Sequence, residues 1–405
     1  MRSLYFLIMA LFWSISLPAA TYYVDSENGL DSRAGTSEAT AWQTLGKVNG
    51  YAFVAGDIIS FKCGCTWTGV LSISCSGASG YPITYTSYGS GNKPVINHSS
   101  NDAIVKVSGS QVVVDGLKLN GAVSTWAGVQ TTKESSYSVL RNLEITNTAE
   151  GVWIGGSHHL VTSNHIHDLH MWHNDPGGDD DSGARAITFT NATDIEVSYN
   201  RIINCAAPSY DYGQDGGAFE LWQGSTRVKI HHNYVEKCAG ALEAGGTGET
   251  VSDYSIYYNV FVNANIGYGK WLAVHVGDKF SINPVNFSVN NNTFVNSGDT
   301  WGAGSYLTMK NNVYYNSSGG GTQSNNYSGD PLFVNLGGGD YHLQFGSPAI
   351  DAGVNLGYTV DYDGVSVPQG SLPDIGAYEY VSGGVQRLAT PSISPTGGPV
   401  AVPHL

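Results

Sequence analysis

Positive charge is scarce in this chain. Eighteen lysines and arginines stand against 33 aspartates and glutamates, and the formal net charge is −15. A protein this acidic repels phosphate backbones, and we therefore expect no nucleic-acid partner. Net charge describes only the whole molecule, and a local basic site or a bound cation would still accept an acidic sugar.

Cysteine is also sparse. The five cysteines include no CxxC pair and no zinc-ligand spacing, which argues against a thiolate metal centre. Cys63, Cys65 and Cys75 cluster near the N-terminus, and one disulfide among them is an open alternative in an oxidising compartment.

Long apolar runs are confined to the first twenty residues. Arg2, an apolar stretch from Leu4 to Leu17 and the small residues after Pro18 predict a secretory signal over residues 1–20. A membrane anchor is the alternative reading of this segment. We expect a soluble bacterial protein that is secreted or periplasmic, monomeric, and free of the membrane after signal removal.

What the chain has in abundance is glycine, 52 residues, while only 13% of its residues are charged. This composition favours strands joined by tight turns over helices. A short pattern centred on asparagine recurs at intervals of 20 to 36 residues. Its members are Asn142, Asn164, Asn200, Asn233, Asn259, Asn292 and Asn312. A short strand precedes and follows each one, as in a parallel β-solenoid with insertions at one corner.

The chemistry of asparagine suits a sharp corner of such a solenoid. Its backbone tolerates left-handed angles, its amide bonds neighbouring backbone, and stacked asparagines can bond one another. Cys205 and Cys238 each lie five residues after their Asn. We interpret that position as inward packing, with a disulfide between the two as the alternative.

With this repeat the chain resembles the secreted bacterial right-handed parallel β-helix proteins, the pectin-lyase-like superfamily. The segment TYYVDSENGLDSRAGTSEATAWQTLGKVN, residues 21–49, is similar to their N-terminal segment. The resemblance implies an all-β right-handed parallel β-helix over residues 21–330. It also implies a short capping helix, with Trp42, Leu45 and Val48 facing inward.

The C-terminal part carries the same resemblance. DPLFVNLGGGDYHLQFGSPAIDAG at residues 330–353, DYDG, and DIGAYEY ending at Tyr380 are similar to the family's closing segment. The resemblance implies a closing segment at residues 331–380, and we interpret residues 381–405 as a disordered tail. It specifies the fold but not the reaction, because the superfamily includes lyases, hydrolases, epimerases and phage adhesins.

Alternation along the strands after the long loops predicts which side chains face outward. Residues such as Ile187, Phe219 and Leu242 are predicted to point into the core, and so are Val274 and Val276. The residues between them form one outward strip. Its predicted members are Trp153, Thr188, Glu220, Glu243 and His275.

Glu220 and Glu243 lie one coil apart on this strip, so their β-carbons are predicted to be about 5 Å apart. Two carboxylates so close cannot both ionise freely, and glycosidases use such a pair as acid and base or nucleophile. Asp215 is the third candidate catalytic acid. Of the two glutamates, we expect Glu243 to be the proton donor, because its Ala and Gly neighbours indicate poor solvation.

Loops around the strip carry aromatic residues that can stack on sugar rings. They are Trp172, Tyr210, Tyr212, Trp222, Tyr268, Trp271 and Trp301. From the strip and these loops we predict a polysaccharide- or oligosaccharide-binding groove. Its predicted binding residues are Trp153, Thr188, Arg185, Trp222, Tyr212, Lys270, Trp271 and His275.

The acidic loop HNDPGGDDDSG, residues 173–183, has the alternating oxygen ligands of a calcium loop at Asp179 and Asp181. A solvated acidic loop without an ion is the alternative, and no cofactor is required by the hydrolase interpretation. We therefore predict a glycoside hydrolase. The alternatives are a uronate lyase or epimerase that uses Arg185, Lys270 or calcium, and a non-catalytic glycan-binding adhesin.

Overall fold

A computed structural model describes residues 19–383. Most of the signal predicted at residues 1–20 and most of the tail predicted at 381–405 lie outside the described residues. The predicted fold class is confirmed, since the described chain winds into a right-handed parallel β-helix whose short strands stack in parallel. Each coil contributes strands to three stacks.

The strands of each stack pair only with their neighbours in the coils before and after. The site stack consists of Leu71–Ile73, Ala103–Val107, Ala127–Thr131, Glu150–Ser157, the first half of Arg185–Ser198, Gly217–Trp222, Leu242–Gly245, Lys270–Val274 and the end of Thr293–Trp301. The second stack consists of Thr21–Val24, Ile58–Lys62, Ile83–Tyr88, Val112–Asp115, Val139–Arg141, Leu160–Thr162, the second half of Arg185–Ser198, Thr226–His231, Thr250–Tyr257, Asn283–Asn290, Leu307–Lys310 and Thr322–Ser324. The third stack consists of Thr66–Thr68, Val95–Asn97, Lys118–Asn120, Glu144–Thr146, His165–His167, Arg201–Ile203, Tyr234–Glu236, Val260–Val262, the start of Thr293–Trp301 and Val313–Ser317.

Few elements lie outside the stacks. Antiparallel hairpins pair Met171–His173 with Ser182–Gly183, Ala207–Ser209 with Gly213–Asp215, and Phe333–Asn335 with Asp340–Leu343. The helical turns are Glu38–Thr40, Leu45–Asn49 and Leu336–Gly338. No helix among residues 19–383 is long and apolar enough to cross a membrane.

The predicted capping helix is Leu45–Asn49, which begins after Thr44, whose side chain accepts a hydrogen bond from the Lys47 amide. Trp42, Leu45 and Val48 are buried against the first coil, as predicted. The helix thus covers apolar side chains that an open end would expose to water.

The asparagine repeat forms a buried ladder at one corner. In each rung the backbone N–H and the Nδ2 of one Asn donate to the Oδ1 of the next, at 2.8 to 3.1 Å. Its members are Asn164, Asn200, Asn233, Asn259, Asn292, Asn312 and Asn326. Six of the seven predicted asparagines join it, and Asn326 was missed.

Asn142 is the wrong prediction, because Leu143 occupies the ladder position of its coil and donates its N–H to Asn164 Oδ1. Asn142 instead has a φ of 52° and donates to Asp115. Throughout the ladder, the left-handed residue precedes the ladder Asn, as at Ser163 and Tyr199. Backbone curvature and side-chain bonding are therefore divided between two adjacent residues.

Cys205 and Cys238 are buried, and all five cysteines are free thiols. The inward-packing interpretation is confirmed for this pair. Burial raises the pKa of the Cys205 thiol, so it behaves as a small apolar side chain there.

The C-terminal region builds a second apolar cluster on the outside of the third stack. Val260, Val262, Val295 and Val313 project outward from that stack and are covered by residues such as Tyr341. Backbone bonds from Gly376 to Asn311 and from Ala377 to the Thr293 hydroxyl attach this region laterally. The domain boundaries at residues 330 and 380 stay predictions.

Candidate active site

The predicted strip exists on the outer face of the site stack. Trp153, Thr188, Glu220 and Glu243 are successive partners in the parallel register. Stacked coils place successive side chains about 4.8 Å apart, so the two glutamates are direct neighbours, as predicted. Their catalytic role stays a prediction.

The two glutamates differ in solvation, and the expected order is wrong. The Glu220 side chain is 7% exposed, whereas that of Glu243 is 23% exposed. Burial, followed by the negative charge of Glu243, raises the pKa of Glu220 well above its usual range. The Glu220 carboxyl lies against Arg185 of the preceding coil, a contact that alternation along one strand does not reveal.

Glu220 belongs to a buried network that includes a residue missed from the sequence. The Arg185 guanidinium binds Glu150 through Nε at 2.7 Å and contacts Glu220 through Nη1 at 3.4 Å. Thr188 donates its hydroxyl to Glu150 Oε2 at 2.6 Å. Glu150 is fully buried, and burial raises its pKa although Arg185 opposes this. Since Arg185 and Glu150 are register partners, an opposite-charge pair was detectable by alignment of the coils.

This network corrects two predicted substrate contacts. Thr188 is fully buried and does not face the open groove. Arg185 has its positive charge balanced by two carboxyls instead of being free for a uronate. Both residues hold the base of the strip in place.

Asp215 reaches the pair from the hairpin formed by Ala207–Ser209 and Gly213–Asp215. Its Oδ1 accepts the Gly216 N–H at 2.7 Å, which fixes the carboxyl at the start of the next site-stack strand. Burial, then the charge of Glu243, raises the pKa of Asp215 to about 7. The side chain is only half-buried, so it combines a proton at neutral pH with access to the groove.

His275 contacts Glu243, but the register of its strand differs from the predicted one. Ala273, not His275, is the partner of Glu243, and Val276 is exposed instead of inward. The strand ends at Val274, and the chain then turns so that His275 leans back over the strip. Its Nε2 lies 2.9 Å from Glu243 Oε1 and its Nδ1 lies 2.9 Å from Asp278 Oδ2. Burial opposes protonation of His275, but these two bonds outweigh it and raise its pKa.

Tyr268, one of the loop aromatics, places its hydroxyl among the same carboxyls. The hydroxyl is buried, has no partner at full hydrogen-bonding geometry among residues 19–383, and interacts with the Glu243 side chain. Burial and the charges of Glu243, Glu220 and Asp215 raise its pKa well above the usual range. It is therefore a protonated donor at neutral pH.

The aromatic residues divide between groove and core. Trp153 is half-buried and packs on Trp126 at 5.2 Å, and Trp222 packs on Phe280 at 5.8 Å. Trp301 is exposed, lies beyond Ala273 on the strip and meets His275 edge-on at 5.1 Å. These three aromatic rings border the carboxyl pair.

Trp271 is a wrong prediction, since it is buried in the core. Its indole N–H donates to the Ser318 carbonyl, and its ring packs on Phe294 at 4.2 Å. Preceding coils have Ala186, Ala218 and Ala241 at this inward corner. The sequence groups this tryptophan with the loop aromatics because its position after the loop does not reveal that inward corner.

Lys270 and Tyr212 have protein partners. Lys270 pairs with Asp299 at 2.5 Å, away from the glutamates on the neighbouring coil, which leaves it without a role at the pair. The Tyr212 hydroxyl donates to Asp179 Oδ1 at 2.5 Å, and Lys279 pairs with the same carboxylate. Loops from three coils therefore meet beside the groove.

The predicted calcium ligands do not come together. Asp179 is engaged by Tyr212 and Lys279, whereas Asp181 accepts from the Ser209 hydroxyl at 2.7 Å and the Asp211 amide at 3.0 Å. Within residues 19–383, Asp181 approaches His173, Asp175 and Asp180 closely enough to share an ion, but Asp179 is not in that group. Calcium dependence stays a prediction.

No family model matches this chain. The chain is 38% identical over 145 residues to lacto-N-biosidase from Bifidobacterium longum subsp. longum, a match that covers 33% of this chain. It spans only 8% of that relative's length.

Solved structures share the fold. Pectate lyase Pel9A matches with a TM-score of 0.61 and 17% identity over 90% of this chain and 97% of its own. A rhamnogalacturonan lyase matches with a TM-score of 0.54 and 16% identity over 79% of this chain and 92% of its own. At these identities the likeness establishes the parallel β-helix architecture and nothing about the reaction.

Proposed function

We propose that this protein is a carbohydrate-active enzyme, and specifically a glycoside hydrolase of uncharged polysaccharide or oligosaccharide chains. The carrying observation is the group of three interacting carboxyls, Glu220, Glu243 and Asp215, on one aromatic-bordered strip. Partial identity to a protein named as a glycosidase, lacto-N-biosidase, supports the same class.

Different environments suit the carboxyls to different steps. Asp215, half-buried with a pKa of about 7, is suited to donate a proton to the glycosidic oxygen as the bond to the anomeric carbon breaks. Glu243 is more accessible than Glu220 and is bonded to His275, so it is suited to act as the carboxylate that attacks the anomeric carbon or activates water. Glu220 is buried and contacts Arg185, and it contributes to the electrostatic field between Asp215 and Glu243.

A lyase on uronic chains has less support. It needs a free cation or metal to neutralise the substrate carboxylate, and the candidate cations Arg185 and Lys270 are paired with carboxylates. The strip itself presents carboxyl groups to a substrate and, within the described residues, no unpaired positive charge that would attract a uronate. Calcium bound at the 173–183 loop would change this balance, so the assay must include a chelator.

The test uses a panel of neutral and uronic polysaccharides with two readouts, new reducing ends and the ultraviolet absorbance of an unsaturated product. We expect reducing ends on a neutral glycan, without absorbance and without sensitivity to chelator. Asp215→Asn and Glu243→Gln should each lower the rate about 10²–10⁴-fold. Glu134→Gln, at an exposed surface carboxyl, is the matched control and should retain the rate.

Chelator-sensitive absorbance on a uronic chain would replace the hydrolase proposal with the lyase. Full activity in both Asp215→Asn and Glu243→Gln would refute the site. Binding without product on any substrate would favour the adhesin alternative.

A further inference from the structure

The Tyr268 hydroxyl packs closely against Gly240. A β-carbon built on Gly240 would lie 1.8 Å from the Tyr268 hydroxyl oxygen and 2.5 Å from its Cζ. Gly240 lies three residues before Glu243, in the same coil. Because glycine has no side chain, position 240 leaves room for the Tyr268 hydroxyl beside the coil that carries the Glu243 carboxyl.

The hydroxyl is buried and has no partner at full hydrogen-bonding geometry in the described range 19–383, and the side chain it interacts with as a hydrogen-bond donor is Glu243. Leaving such a donor without a well-placed acceptor is destabilising. The charged groups around it are Glu243, Glu220 and Asp215, with Arg185 behind Glu220 and the His275–Asp278 pair behind Glu243.

Among these carboxyls, Glu243 is the best-placed acceptor for the Tyr268 hydroxyl. It makes the largest electrostatic contribution of the three at Tyr268. Glu220 is already engaged by Arg185 and Asp215 by the Gly216 amide. Glu243 is bonded through Oε1 to His275 and has a second oxygen.

We propose that Tyr268 is a positioning residue that donates its hydroxyl hydrogen to ionised Glu243 and orients that carboxylate for the reaction. The inference rests on the proposed function, in which ionised Glu243 is the base or nucleophile. Gly240 belongs to the same arrangement, because a larger residue at position 240 would displace the Tyr268 side chain.

A matched control is available in Tyr254. Its hydroxyl is also buried without a partner at full hydrogen-bonding geometry in the described chain, but it lies in the apolar core against Phe189 and Phe287, with the Ser225 hydroxyl as its polar neighbour. Tyr254→Phe removes the same atom from an environment without a carboxyl. Tyr268→Phe and Tyr254→Phe therefore differ only in what the hydroxyl faces.

The first measurement does not depend on activity. Urea unfolding is followed for both variants at pH about 3 and about 8. A bond to ionised Glu243 stabilises the fold only where that carboxyl is ionised. Tyr268→Phe should therefore lose more stability at the higher pH, whereas Tyr254→Phe should show the same change at both. Equal behaviour of the two variants would overturn the proposal.

The second measurement is the pH profile of kcat/KM on the glycan identified by the panel. Tyr268→Phe should shift the acidic limb upward by about one pH unit, because the ionised base loses a donor. Gly240→Ala should shift it in the same direction, and Tyr254→Phe should not shift it. Unchanged limbs in active variants would refute Tyr268's role. If no glycan is cleaved but the unfolding difference appears, the hydrolase fails while the Tyr268–Glu243 bond stands.

Discussion

Asp215 links the acid chemistry of the site to the stability of the fold. Its carboxyl has a pKa near 7 in the folded chain, against an ordinary value of 3.8. The folded state therefore binds this proton more tightly than the unfolded state does, and stability is lost as pH rises from about 4 to about 7. Under the proposed function, this environment is the one that a proton donor at neutral pH requires.

Asp215→Asn should remove this cost. We expect the variant to match the parent at pH about 4 and to exceed it at pH about 8 by roughly 1–3 kcal/mol, while activity is lost. Asparagine retains the oxygen that accepts the Gly216 amide, so the hairpin should be kept. Urea unfolding at the two pH values measures the difference, with exposed Glu38→Gln as control. An Asp215→Asn variant that is less stable at the higher pH would contradict the assignment.

At the scale of the element, the asparagine ladder determines how the coils hold together. Buried Asn233 accepts the Asn200 N–H and Nδ2, and donates to Val197, His231 and Asn259. Each ladder residue thus satisfies backbone groups at a corner where the strand pairing is interrupted. The ladder begins only at Asn164, because Leu143 precedes it.

Asn233→Ala should be severely destabilising. It leaves the two Asn200 donors unpaired in a buried corner and removes one hydrogen bond from each of the Val197 and His231 carbonyls, for which we expect a loss of roughly 2–5 kcal/mol. Asn142→Gly is the matched control, since Asn142 lies outside the ladder and glycine tolerates its positive φ. Denaturant midpoints of the two variants give the comparison. Similar small losses in both would show that the ladder is dispensable.

Sequence reasoning predicts the stacked elements well and their ends poorly. The register from Trp153 to Glu243 follows from alternation, because each residue there faces a pleated, regularly repeating environment. The coil after Glu243 breaks the rule, as Ala273 replaces His275 on the strip and Trp271 turns inward. Those outcomes depend on where a strand stops and on space left by alanines in earlier coils, which are tertiary properties.

The candidate site shows the same division. Glu220 and Glu243 were found because they repeat, whereas Glu150 was missed because its partner Arg185 was considered alone. The roles of Arg185 and Thr188 follow from burial beneath loops, and burial is set by the insertions of several coils together. Tyr268 was recognised as a loop aromatic, but the direction of its hydroxyl depends on the space at Gly240.

In the molecule as a whole, part of the outer face of the solenoid is apolar and has to be covered from water. Val260, Val262, Val295 and Val313 form an apolar strip along the third stack and are buried by the C-terminal region. Solenoid coils contact only their neighbours, so such a strip runs across several units. The C-terminal region, attached at Asn311 and Thr293, makes those coils into one body.

A chain ended at residue 330 should therefore expose this strip. We expect increased fluorescence of a hydrophobic dye and concentration-dependent association, because uncovered apolar patches of this kind drive aggregation. A chain ended at residue 383 keeps the cover and is the control. Static light scattering and dye binding at matched concentrations measure the effect. If the shorter chain stays monomeric and dye-free, the valine strip is tolerated in water and the C-terminal region has another role.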